Sequence, residues 1–132
     1  MAGVEGSSPA RARPARVLAV DDDPSFLTLL CDVVDAASEL ELVGETDCGE
    51  HAVQAAQELR PDVVLMDVRM PEMDGIETAQ RIRATCRRTV VVLMSSDGID
   101  GARGCGAAAF LPKERLRATV LRELWAQHAP LG

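Results

Sequence analysis

Five residues of this chain stand where an apolar run ends, and their types could do chemistry together: Asp21, Asp22, Asp67, Ser95 and Lys113. Asp67 closes Val63-Val64-Leu65-Met66, and Asp21-Asp22 follow Val17-Leu18-Ala19-Val20. Ser95 follows the apolar stretch that ends at Met94, and Lys113 follows Phe110-Leu111-Pro112. If these runs are parallel strands of one sheet, their carboxyl ends lie along one edge, where open α/β sheets place ligands and chemistry. Three carboxylates that close repel one another unless a cation joins them. An oxygen-only ligand set with few protein atoms suits Mg²⁺, which keeps waters and takes a phosphate oxygen. One carboxylate of such a group can attack phosphorus and become an aspartyl phosphate. A lysine and a hydroxyl then neutralise and hydrogen-bond the new phosphoryl oxygens.

The elements that must position these groups can be read from periodicity. Val63 to Met66 is too short for a membrane span and reads as a strand buried on both faces. Met70-Pro71 stops regular structure after it, and Asp74-Gly75 turns the chain into a helix from about Ile76 to Cys86. Before it, Arg16–Val20 reads as a first strand, and Asp23 caps a helix that has Pro24 at its first position. Phe26, Leu29, Leu30, Val33, Val34 and Ala37 form one apolar stripe along that helix. Leu40–Thr46 reads as the second strand. Asp47-Cys48-Gly49-Glu50 fits a capping box opening a second helix that runs through Leu59, with Ala52, Val53, Ala56 and Leu59 inward. Thr89–Met94 reads as the fourth strand, Ala107–Leu111 as the fifth, and Glu114 to about His128 as a final helix. Leu121 and Trp125 widen the apolar face of that last helix. Gly98, Gly101, Gly104 and Gly106 each cost a helix interior about 1 kcal/mol against alanine, so the fourth helix is expected to be short or frayed. Strand and helix alternate five times, which predicts an α/β fold: a doubly wound, five-stranded parallel sheet.

Composition narrows the partners. With 132 residues, 47% of them apolar and 27% charged, the chain has the size of one domain. Its net charge is −7, and because Glu5 is outweighed by Arg11 and Arg13 in the first fifteen residues, the remainder carries −8. That field argues against nucleic acid. Cys31, Cys48, Cys86 and Cys105 show no paired spacing, as expected of free thiols in a reducing cytoplasm. No apolar run approaches 18 residues and no signal-type segment opens the chain, so neither membrane insertion nor export is expected. Residues 1–15, small, polar and proline-containing, are expected to be a disordered tail, with 129–132 a short C-terminal one.

Four segments, each at a strand end and in this order, resemble the receiver domain of two-component response regulators over about residues 16–128. They are Val20-Asp21-Asp22-Asp23, the stretch from Pro61-Asp62 through Asp67-Val68-Arg69-Met70-Pro71 to Asp74-Gly75, Met94-Ser95-Ser96, and Phe110-Leu111-Pro112-Lys113. The resemblance is to stand-alone receivers of the chemotaxis type. It implies a flavodoxin-like sheet with strand order 2-1-3-4-5. It also implies that Asp67 accepts the phosphoryl group, and that Asp21, Asp22, Asp67 and the Arg69 main-chain carbonyl hold Mg²⁺. Ser95 would be the switch hydroxyl, Lys113 the cation paired with phosphate, and Phe110 the switch aromatic. Met94 competes with Ser95 for the switch register, and Ser96 is a second candidate hydroxyl. The partners implied are a sensor histidine kinase or a phosphotransfer protein, a downstream protein, and a second copy in a possible homodimer. Catalysis would go no further than Mg²⁺-dependent self-phosphorylation and self-dephosphorylation. Two features depart from the family pattern: the span from Ser95 to Lys113 is about four residues short, and proline precedes the lysine where the family often has it following.

Two other readings compete. Val20-Asp21-Asp22-Asp23-Pro24-Ser25 loosely fits the nucleophile motif of haloacid-dehalogenase-type phosphatases, but that reading leaves Asp67 unexplained. A receiver-like module that binds a partner without phosphorylation is the other, kept open by the altered fourth helix.

Overall fold

A computed structural model describes residues 13–96 and 106–130. Five strands form one parallel sheet: β1 (Ala15–Val20), β2 (Leu40–Thr46), β3 (Val63–Asp67), β4 (Val90–Ser95) and β5 (Ala109–Pro112). Their spatial order is β2-β1-β3-β4-β5, as the resemblance implies. The helices are α1 (Pro24–Asp35), α2 (Gly49–Leu59), α3 (Gly75–Thr85) and α4 (Ala118–His128). The shortened fourth helix expected from the glycines falls on residues 97–105, outside the described residues.

The period-2 alternation of the central strands makes two cores. Val17 and Ala19, Val63 and Leu65, and Val90, Val92 and Met94 face one side, where they meet Leu30, Cys31 and Val34 of α1 and Leu121 of α4. Leu18, Val20, Val64, Met66, Val91 and Leu93 face the other side, against Ala52 and Ala56 of α2 and Ala79 and Ile82 of α3. β3 is buried at all five positions and its neighbour β4 at all six, so the strand that ends in Asp67 lies in the enclosed centre of the sheet. Each Leu or Val side chain withdrawn this completely from water contributes about 1.5–3 kcal/mol. That burial is what holds the strand ends in register.

Several local expectations are corrected. β1 begins at Ala15 rather than Arg16, because Ala15 is 4% exposed and its N–H donates to the Glu39 carbonyl. In α1 the inward positions are Leu30, Cys31 and Val34, with Ala37 buried just past the end of the helix; Leu29, placed on the apolar stripe by spacing, is 50% exposed. It lies about 100° round the helix from Leu30, on the solvent side. The capping box from Asp47 does not form, because α2 is capped at Cys48, whose side chain makes no capping hydrogen bond. Asp74 does cap α3, accepting the Glu77 N–H at 2.9 Å. The final helix is not continuous from Glu114. Lys113–Arg115 is a 3₁₀ turn, Arg117 is extended, and α4 starts at Ala118. Leu121 belongs to the core and Trp125 packs half-buried against it, so their apolar face covers the α1 side of the sheet.

Candidate functional site

Each strand end delivers its residue to one edge of the sheet. Parallel pairing aligns Val20 with Met66, Asp67 with Met94, and Ser95 with Pro112. Asp21 follows β1 directly, and its backbone N–H extends the pairing to the Thr46 carbonyl at 3.2 Å. Lys113 opens the 3₁₀ turn immediately after β5. The loop after Asp67 is drawn tight by Val68 N–H to Met94 O at 2.8 Å and Gly75 N–H to Val68 O at 2.9 Å. Gly75 is required there: a Cβ at that position would run into the Asp67 carbonyl oxygen and stand 2.7 Å from the Val68 Cα. The start of α3 can therefore close directly on the end of β3.

The charged groups meet as the sequence predicts. Lys113 Nζ is 2.8 Å from Asp21 Oδ2 and 3.6 Å from Asp67 Oδ1. Asp21, Asp22 and Asp67 each offer a carboxylate oxygen, and these oxygens lie within 4.8 Å of one another. Asp21 is fully buried and Asp67 is 7% exposed, while Asp22 opens to solvent. Asp21 Oδ1 accepts the Asp23 N–H at 2.8 Å, which aims the carboxylate. Its Oδ2 takes no hydrogen bond of regular geometry, although the Lys113 ammonium stands close to it.

Three carboxylates thus face one ammonium among the described residues. Burial pushes the Asp67 carboxyl above its ordinary range, and the Asp21 charge pushes it further; Lys113 and a backbone hydrogen bond from Arg69 pull the other way and do not win. Lys113 is also raised: burial alone would lower it, but the Asp21 carboxylate 2.8 Å away, with the charge of Asp67, outweighs burial. A hard divalent cation would offset the charge of this set. Oxygen-only donors, one of them exposed to admit waters, and an under-satisfied buried oxygen on Asp21 all fit Mg²⁺.

The other predicted residues fall into place unequally. Ser95 ends β4 at 2% exposure, one residue beyond the register partner of Asp67. Met94, its competitor, points into the core on the α1 side, and Ser96 is exposed in a bend. The Arg69 side chain is exposed, and its backbone is tied to Asp67. Phe110 pairs with Leu93 in β5 and is 38% exposed, with its ring in neither core. Spacing missed Phe26: read only as part of the stripe, it lies with its ring centroid 4.2 Å from Lys113 Nζ. A cation over an aromatic face gains about 0.5–2 kcal/mol, so Phe26 helps hold the ammonium in place. Its position in the first turn of α1, just after the acidic run, was the available signal.

Comparisons with known proteins agree with this geometry. The family model described as response regulator receiver domain matches residues 17–124. A protein-glutamate methylesterase/protein-glutamine glutaminase of Nocardioides sp. is 40% identical over 115 residues, which are 83% of this chain and 31% of that protein. The chain therefore spans about a third of the length of this curated relative. The response regulator domain of Thermotoga maritima CheB superposes with a TM-score of 0.78 at 30% identity, covering 88% of this chain and 96% of that one. The receiver domain of a sensor histidine kinase from Pseudomonas aeruginosa, with magnesium coordinated in its active-site cleft, gives 0.75 at 27% identity over 86% of this chain and 96% of that one.

Proposed function

Since the chain belongs to the response regulator receiver family, we propose that it accepts a phosphoryl group on Asp67 and signals through altered protein binding. The observation that carries this reading is the Lys113 ammonium held between Asp21 and Asp67, with Asp22 beside them. An oxygen of the Asp67 carboxylate attacks phosphorus; the O–P bond forms as the bond to the donor breaks, and the donor leaves with that electron pair. The donor fitting this chemistry is the phosphohistidine of a sensor kinase or a phosphotransfer protein. Lys113 then pairs with a phosphoryl oxygen in place of the Asp67 carboxylate, and the Ser95 hydroxyl donates to another. Bound by Asp21, Asp22, Asp67 and the Arg69 carbonyl, Mg²⁺ would offset the charge gathered there. Lys113 is shared between Asp21 and Asp67 before transfer, so the new charge redistributes its contacts, and that shift is what a partner reads. The receiver unit occupies residues 16–128, works in the cytoplasm and catalyses nothing beyond its own phosphorylation and dephosphorylation. In this reading Phe110 is the aromatic that moves with the switch, and the exposure of its ring on β5 supports a part in a partner or homodimer surface.

Incubation with Mg²⁺ and a small phosphodonor, followed by intact mass measurement, tests the reading. Wild type gains one phosphoryl mass and Asp67→Asn gains none. Equal labelling of that variant overturns the assignment.

A further inference from the structure

We propose that Asp47, Cys48 and His51, at the start of α2, bind a single divalent metal ion of the Zn²⁺ type, separate from the carboxylates at the strand ends. One ligand atom from each of the three lies within 4.8 Å of the other two. Consecutive residues seldom converge on one point, but Cys48 has extended backbone angles (φ −151°, ψ 162°) and precedes the first helical residue. Asp47 and Cys48 can therefore both turn towards His51, one helical turn further on. Asp47 Oδ1 and His51 Nδ1 are already 4.0 Å apart.

The donor set decides the metal class. Sulfur, imidazole nitrogen and carboxylate oxygen together suit Zn²⁺ and its borderline neighbours and disfavour Mg²⁺, which takes oxygen alone. Tetrahedral coordination at zinc bond lengths spaces ligand atoms by roughly 3.3–3.8 Å, so the group must close by about 1 Å. The side chains of Asp47 and His51 are 76% and 66% exposed and have the freedom to do so. Cys48 is committed to no cap, which leaves its sulfur available. A cleft of about 290 Å³ opens beside Cys48 and His51, walled opposite by Pro71, Glu72 and Met73. It leaves a fourth position for water, and Glu50 and Glu72 add negative charge around it. On binding, the metal–sulfur bond replaces the S–H bond of Cys48 and its proton passes to solvent, while His51 coordinates as neutral imidazole.

The test uses the reduced, tag-free full chain with Co²⁺ as a spectroscopic probe and Zn²⁺ in competition with a chromophoric chelator. With Mg²⁺ in excess to occupy the strand-end carboxylates, one equivalent of Co²⁺ is expected to bind with a thiolate-to-metal absorption in the near ultraviolet, absent in Cys48→Ser. His51→Gln and Asp47→Asn should each weaken Zn²⁺ binding tenfold or more. Asp22→Ala and Cys105→Ser should leave it unchanged. All five positions lend themselves to a circular-dichroism check that the variants fold. Zn²⁺ should also slow alkylation of Cys48, followed by peptide mass. Retention of the charge-transfer band in Cys48→Ser, unaltered affinity in His51→Gln, loss of binding in Cys105→Ser or Asp22→Ala, or no uptake at micromolar metal would each overturn the proposal.

Discussion

The two edges of the sheet both gather polar groups, yet they are balanced in opposite ways. At the amino edge the partners match. Asp62 Oδ2 accepts the Arg16 N–H at 2.8 Å and Arg13 Nη1 at 3.2 Å. Arg16 Nη1 donates to the Leu59 and Arg60 carbonyls at 2.7 and 3.1 Å, covering the open end of α2 where Arg60 takes a left-handed φ of 51°. Thr89 Oγ1 donates to the Pro61 carbonyl at 2.9 Å. At the carboxyl edge three carboxylates share one ammonium, and burial together with the Asp21 charge pushes Asp67 up. A satisfied polar network stabilises, whereas an unbalanced one leaves affinity for what is missing, here positive charge and then a phosphoryl group.

Substitutions at the two edges should separate these roles. The largest stability effect is expected from Lys113→Met, which strands Asp21 in a buried position and should cost about 3 kcal/mol at neutral pH without divalent cation, read by denaturant unfolding. In wild type the Lys113 contribution is fully present below 10.5, its unfolded value, and is lost only as pH rises through its higher native value. Next, Arg16→Ala should cost about 2 kcal/mol by removing donors from the end of α2, while phosphoryl uptake per folded molecule stays at the wild-type level. A drop in uptake there would mean that the edges are not separable. The smallest effect has the opposite sign. Asp67 has its native carboxyl raised above 3.8, so between 3.8 and that raised value the native state holds more proton than the unfolded chain. Stability therefore falls as pH rises through that window. Asp67→Asn removes the cost and should melt higher than wild type by roughly 5 °C at pH 7 without divalent cation, with the difference closing towards pH 4.

What could be read from the sequence was whatever depended on a residue and its immediate run. Asp67 at the end of an all-apolar stretch was legible because a buried parallel strand fixes where its last side chain emerges, and Lys113 because it directly follows the short run Phe110-Leu111-Pro112. The sheet order followed from the receiver resemblance, and its two cores from alternation along β1, β3 and β4. What failed turned on a shift of one residue or on tertiary contact. Asp47 and Glu50 have the spacing of a capping box, but the helix starts at Gly49 and the cap passes to Cys48. Leu29 matched a helical stripe, yet α1 turns Cys31 inward instead, where its Sγ donates to Glu45 Oε2 at 3.3 Å. Burial, then that carboxylate, holds the Cys31 thiol at about 12. The Phe26–Lys113 contact joins residues 87 positions apart, and no local pattern announces it.

The charge imbalance at the carboxyl edge is tested most directly by the thermal midpoint as a function of Mg²⁺ concentration, compared across wild type, Asp22→Ala and Arg16→Ala. A cation that binds only the folded state raises the midpoint with the logarithm of its concentration above its dissociation constant. Wild type should rise in this way, Arg16→Ala should rise in parallel from a lower start, and Asp22→Ala should stay flat. A flat wild-type curve, or a rise in Asp22→Ala parallel to wild type, would contradict the account.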